Sequence, residues 1–150
     1  MAKAKPKTKH ISNRRARFDY AVGDVYSVGL ELTGAETKSL RLGHGNLTGS
    51  YVTVKDNQLM LLNATVFGSA AIRIGEGEQT RTRRLLAKRR EINQLIEAKQ
   101  QGKTIIPLEI LTQGRYIKLK IATATGKKLY DKRETIKKRE SERRIRTNNY

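Results

Sequence analysis

Tyr26-Ser27-Val28-Gly29-Leu30-Glu31-Leu32-Thr33-Gly34-Ala35-Glu36 changes its pattern part-way along. Through Leu32 the larger apolar residues alternate with Ser27, Gly29 and Glu31, the period of two expected of a strand with one buried face. From Thr33 the spacing is that of a capping box: the threonine oxygen accepts from the amide three residues on, and the Glu36 side chain reaches back to the threonine amide. A strand ending at about Leu32 therefore runs into a short helix, which carries on to about Leu42 before Gly43 stops it. Lys38 and Arg41 lie three apart on one face of that helix.

The same two periods organise the chain downstream. Tyr51–Lys55 and the run 59–66 flank Asp56-Asn57, the chemistry of a tight hairpin turn, and the second run is the more apolar. A Gly/Ser-rich loop spans 68–78. From 80 to 101 the period becomes helical, with Leu85, Ile92 and Ile96 on one face, Leu86 and Leu95 flanking it, and Gly102 closing the end. Arg83 and Arg90 are expected on the exposed side of that helix. Two further strands are expected at 104–110 and 115–122, joined through Thr112-Gln113-Gly114. In the second, Ile117, Leu119 and Ile121 point inward, while Tyr116, Lys118 and Lys120 point outward. The fold class is mainly β with helices: a small antiparallel β-barrel of the oligonucleotide-binding type, two or three α-helices and a basic C-terminal tail. Periodicity does not separate that barrel from an α+β sandwich.

The 150 residues carry 32 basic and 14 acidic side chains, a surplus of +18 that divides into +6 each for residues 1–20, 21–125 and 126–150. The ends are charge-dense and the middle is not. We read a basic disordered arm at 1–12, one barrel domain at 13–125, and a basic tail at 126–150. Leu129, Tyr130, Ile136, Ile145 and Tyr150 share no helical face, so the tail lacks the apolar surface to offset its ordering entropy. It has helical potential nonetheless. Glu134 with Lys138, Glu140 with Arg144 and Glu142 with Arg146 are acid-before-base pairs at i,i+4, each worth about 0.2 to 0.5 kcal/mol in a helix. The tail is expected to be disordered when free and helical when bound to a polyanion.

Charge of this size favours a nucleic acid, because each phosphate contact releases condensed counterions. A membrane partner and a secretory leader are not expected: no run approaches the roughly 18 apolar residues of a spanning helix, and no apolar segment follows the Lys-rich opening. The expected location is the cytoplasm. There is no Cys, and His10 and His44 are the only histidines, so no metal site is expected. No P-loop, nucleophile elbow or clustered carboxylates are present either, so neither an enzyme, a cofactor nor a small-molecule substrate is expected.

Three basic stretches point to phosphate. Arg81, Arg83, Arg84, Lys88, Arg89 and Arg90 crowd the start of the expected helix, where positive charge opposes the helix dipole. A partner phosphate explains that crowding, and the guanidinium fork suits phosphate oxygens. Arg14, Arg15 and Arg17 interleave with Phe18 and Tyr20, which either stack on bases or close the core. After the capped helix, His44 and Asn46 sit in a Gly-rich turn where backbone approaches phosphate closely. Each stretch also reads as a solvated surface.

Four blocks, in order, resemble the small protein B (SsrA-binding protein) family of bacterial ribosome rescue. They are Asn13-Arg14-Arg15-Ala16-Arg17 with Tyr20; residues 29–41 continuing to Asn46 and Ser50-Tyr51; Arg81-Thr82-Arg83-Arg84-Leu85-Leu86 with Arg90-Glu91-Ile92; and Gly126-Lys127-Lys128-Leu129-Tyr130-Asp131-Lys132-Arg133. The chain departs from the family pattern at Phe18, Ser27, Thr37 and Glu78-Gln79. The resemblance implies an oligonucleotide-binding barrel that binds the tRNA-like domain of transfer-messenger RNA in the place of its missing anticodon arm, a case of tRNA mimicry. The tail would then lie in the decoding centre and mRNA channel of a stalled ribosome, against small-subunit RNA. Asn13, Lys38, Arg41 and Leu86 fall at the family's RNA-binding positions. Gly126, Asp131, Lys132 and Arg133 fall at its tail motif, with Lys127, Lys128, Tyr130, Lys137, Lys138 and Arg139 as further ribosome-facing tail residues. The alternative is a constitutive basic ribosomal protein that binds ribosomal RNA.

Overall fold

The computed structural model describes residues 11–126 and 129–148. The arm residues 1–10 and the tail lysines Lys127 and Lys128 lie outside the described residues, as do the side chains of Tyr130, Asp131 and Lys132. In chain order the elements are β1 (Ile11–Ser12), α1 (Arg14–Asp19), β2 (Tyr20–Leu30), α2 (Gly34–Arg41), β3 (Gly45–Asn46), β4 (Tyr51–Lys55), β5 (Gln58–Leu62) and β6 (Thr65–Val66). They continue with α3 (Glu76–Gln79), β7 (Arg83–Leu86), α4 (Arg89–Gln100), β8 (Thr104–Leu111), β9 (Lys118–Gly126) and α5 (Leu129–Asn148).

A seven-stranded antiparallel sheet runs β1-β8-β4-β5-β7-β2-β9, and a second pairing of β8 with β9 closes it on itself. That closure joins β2, β9, β8, β4, β5 and β7 into a ring, with β1 as a short strand added on β8, and makes the fold the oligonucleotide-binding type of barrel rather than a sandwich. Leu40, Leu59, Leu61, Leu95, Ile105, Leu119 and Ile121 are fully buried in its core. β8 is apolar on both faces: Ile105 and Ile110 enter the barrel, while Ile106 and Leu108 join Ala16, Ala122 and Ala124 in a second, smaller cluster. This two-sided burial explains the unbroken apolar run from Ile105 to Leu108.

Several local expectations hold in detail. Asp56 and Asn57 take left-handed φ values of 50° and 59° at the β4–β5 turn, with Lys55 opposite Gln58. Gly43, at φ 83°, donates to the Leu40 carbonyl at 3.0 Å and ends α2.

The segment 80–101 is a correction. It is a strand, β7, followed by a helix that starts only at Arg89. β7 lies between β5 and β2, pairing Leu85 with both Leu59 and Leu30. Without it two adjacent barrel strands would lack partners, and this tertiary demand overrides the local helical spacing. The spacing held for the rest: Ile92, Leu95 and Ala98 form the buried stripe of α4.

Two smaller differences share one cause, long-range pairing. The run 59–66 breaks at Asn63, φ 62°, so that Thr65–Val66 can pair with Gly45–Asn46, which makes a strand of the turn expected there. The strand expected around Tyr26 begins at Tyr20, because β9 extends to Gly126 opposite it and bulges β2 between Val22 and Val25. Residues Arg14–Asp19, for which the sequence reading named no element, form the helix α1.

Candidate nucleic-acid interface

The capping box places Glu36 for a second task. Thr33 N donates to Glu36 Oε1 at 3.0 Å, and Glu36 N donates to Thr33 Oγ1 at 3.2 Å. The same carboxylate accepts from Arg83 Nε at 2.5 Å through Oε2 and from Arg81 Nε at 3.1 Å through Oε1. Arg83 is 0 % exposed and Glu36 2 %. The remaining Arg83 donors close α3 and the β6 entrance: Nη1 donates to Ala64 O at 2.8 Å, and Nη2 to Gln79 O at 2.9 Å. Burial alone would push the Glu36 carboxyl up, but hydrogen bonds from Arg81, the Thr33 amide and Arg83, with the Arg83 charge, hold it below the usual carboxylate range. Burial likewise lowers Arg83, and Glu36 offsets part of that shift.

Arg83 is therefore corrected from a phosphate contact to a buried structural cation. Arg81 shares the same carboxylate and keeps only a third of its side chain in solvent. Arg41 is committed to the β8–β9 loop, where it donates to the carbonyls of Thr112 at 2.9 Å, Gly114 at 3.2 Å and Arg115 at 3.1 Å. Asn13 is buried. Its amide donates to Leu108 O at 2.7 Å and its Nδ2 to Pro107 O at 3.1 Å, tying α1 to β8 where Pro107 interrupts the ladder. These motif residues build the scaffold that holds the surface.

The surface consists of what the scaffold leaves free. Gly29 lies opposite Leu86 on β7 and opposite Lys118 on β9, so these three form one row across the outside of the barrel. Arg84, two residues from Leu86, extends that face and sits opposite Met60. Leu86 is 51 % exposed, and a Cβ at Gly29 would stand 3.2 Å from its Cβ; the glycine leaves room for the leucine to lie across it. Arg84 and Lys118 have no acidic partner among the described residues. Lys120, further along β9, meets Glu109 at 3.2 Å. The sequence reading assigned Leu86 but not Gly29 or Lys118. Their signal was the outward alternation of Lys118 on β9 and the Ser27/Gly29 positions on β2.

The other sites are distributed around this face. Lys38 is exposed on α2, and Lys88, Arg89 and Arg90 are exposed at the start of α4. Arg14, Arg15 and Arg17 are exposed on α1, with Arg15 Nε 3.5 Å from Asp19. His44 is half-buried and bridges Ser39 to Phe67 through its backbone; Asn46 Oδ1 accepts from Thr48 N at 2.9 Å. The tail forms a helix through Asn148, and Arg139 lies 6.0 Å above the Phe18 ring of α1. Phe18 thus meets the tail helix and not the barrel core. Lys137, Lys138 and Arg139 are exposed, as is Arg133. Among the described residues no cluster of acidic or histidine side chains could hold a metal ion, and no helix is long and apolar enough to cross a membrane.

A family model described as SmpB protein matches residues 10–149. The chain belongs to the SmpB family. It is 40 % identical over 146 residues to the SsrA-binding protein of Gloeobacter violaceus, covering 97 % of this chain and 96 % of the relative. It is 44 % identical over 146 residues to the SsrA-binding protein of Dinoroseobacter shibae, covering 91 % of each. A solved chain described under "tmRNA-SmpB: a journey to the center of the bacterial ribosome" superposes with a TM-score of 0.64 at 34 % identity, over 80 % of this chain and 85 % of that one. The SmpB-family resemblance read from the four motif blocks is borne out over nearly the whole chain, and with it the fold.

Proposed function

We infer that this SmpB-family chain is an RNA-binding adaptor that binds the tRNA-like domain of transfer-messenger RNA and delivers it to stalled ribosomes for trans-translation. The reading rests on the family and on one observation: Arg84 and Lys118 flank an exposed Leu86 and a bare Gly29 on the outside of the barrel, neither cation in an ion pair among the described residues. A row with a flat glycine centre admits a nucleic-acid backbone closely, and the flanking cations meet its phosphates. The family favours this adaptor over a constitutive ribosomal protein. It acts in the cytoplasm and without catalysis, by charge and shape. α5 carries the ribosome-facing charges, while the body carries the RNA-facing ones.

Lys38, Arg84, Lys88 and Lys118 are the phosphate contacts, whereas Arg41 is engaged by loop carbonyls and Arg81 and Arg83 by Glu36. Each contact contributes roughly 0.7 to 0.9 to the slope of log K against log salt, so the four together give a slope of about 3. Arg84→Ala is expected to reduce that slope by about 1 without moving the melting temperature, since the side chain is exposed and makes no ion pair among the described residues. Titrations of a tRNA-like RNA at several salt concentrations measure both numbers. A slope near zero for the wild-type chain would remove the phosphate-contact assignment. An unstructured RNA of equal length is expected to bind more weakly, because the contacts are spread over a rigid barrel and match a shape.

A further inference from the structure

The most exposed aromatic ring among the described residues stands next to this face and belongs to neither core cluster. Tyr116 is 69 % exposed, at the end of the β8–β9 loop, two residues before Lys118 enters the outer row. The loop that carries it is held: Arg41 donates to three of its carbonyls, at Thr112, Gly114 and Arg115, and Gly114 adopts φ 93° to make the turn. The Arg115 guanidinium lies 5.6 Å from the Tyr116 ring centroid. An aromatic ring kept in water, mounted on a pinned loop and accompanied by a cation, contributes nothing to core burial. Those same properties suit it to a flat, electron-rich partner next to a phosphate.

We propose that Tyr116 is a stacking platform for one unpaired nucleobase of the bound RNA, with Arg115 beside the ring and Arg41 as the residue that positions the loop. The proposal rests on the RNA-binding reading above and adds a base contact to a surface otherwise made of phosphate contacts. A loop base is the fitting occupant: it presents a free π-face, which a paired base inside an A-form helix does not. Because Tyr116 makes no core contact, truncating it leaves folding intact.

The experiment measures affinity of the full chain for a tRNA-like RNA, with 2-aminopurine placed in turn at each unpaired position. Wild-type protein is expected to quench one position. Tyr116→Ala is expected to abolish that quenching and weaken binding roughly tenfold, the scale of one lost base–aromatic stack. Tyr116→Phe is expected to keep both, since stacking needs no hydroxyl, whereas Tyr116→Leu is expected to behave like the alanine variant. Unchanged affinity in Tyr116→Ala, or leucine performing as well as phenylalanine, would overturn the stacking role. Arg84→Ala in parallel separates the two levels. If it weakens binding while Tyr116→Ala does not, only the stacking platform falls; if neither changes affinity, the RNA-binding face itself is misassigned.

Discussion

Glu36→Ala is expected to destabilise the barrel by about 3 to 5 kcal/mol, the scale of removing one partner from a buried ion pair. Arg83 would remain inside the protein, 0 % exposed, with its charge uncompensated, and α2 would lose its capping box in the same step. For a domain of this size the melting temperature should fall by on the order of 15 °C. Glu36→Gln isolates the charge, since the amide oxygen still accepts hydrogen bonds while the negative charge is gone. Thermal unfolding also carries a pH signature. The Glu36 carboxyl is held below its unfolded value, so its contribution is fully present above the unfolded carboxylate range and is lost as pH falls through the depressed folded value. The wild-type chain should therefore lose stability on acidification below about pH 4, and the Glu36→Gln variant should show less of that loss. A Glu36→Ala protein as stable as the wild type would mean that the buried pair is dispensable.

A chain ending at Gly126 is expected to fold and bind its RNA, yet to fail in tagging on stalled ribosomes. The cut preserves the register of β9 against β2, which ends with Tyr20 opposite Gly126, together with the outer row of Leu86, Gly29 and Lys118. What it removes is α5, which has no buried side chain among its described residues and meets the body where Arg139 lies over Phe18. Such a helix has little to hold it outside a polyanionic channel. Replacing Asp131, Lys132 and Arg133 together by alanine should reproduce much of the defect while leaving the helix in place. Paired assays on the truncated protein, RNA affinity and tag incorporation, check the division. Normal tagging, or loss of RNA binding along with it, would show that body and tail do not divide the labour in this way.

What was legible beforehand was local. The hairpin at Asp56-Asn57, the capping box at Thr33 and Glu36, and the inward set Ile117, Leu119 and Ile121 each depend on residues within a few positions of one another, and each stands as read. The helical reading of 83–88 failed because four residues of strand carry too little periodicity to declare themselves against the helix that follows. Among the site residues, Lys38, Arg84 and Leu86 are exposed as expected. Arg41, Arg83 and Asn13 are motif residues whose places within the fold are structural.

The sequence by itself determined the chain's basic character, its main turns and caps, its family and, through that family, the RNA partner proposed for it. The tertiary structure alone decided which arginines are free. Arg83 and Arg84 are neighbours of identical chemistry, yet one points into the barrel and the other out, because β7 alternates its side chains and Glu36 waits on the inner side, 47 residues away in the chain. A charge can be buried only where an opposite charge and several carbonyls converge on it, and that convergence is brought about by strand pairing over long range. The local spacing of Arg81, Arg83 and Arg84 holds no trace of it.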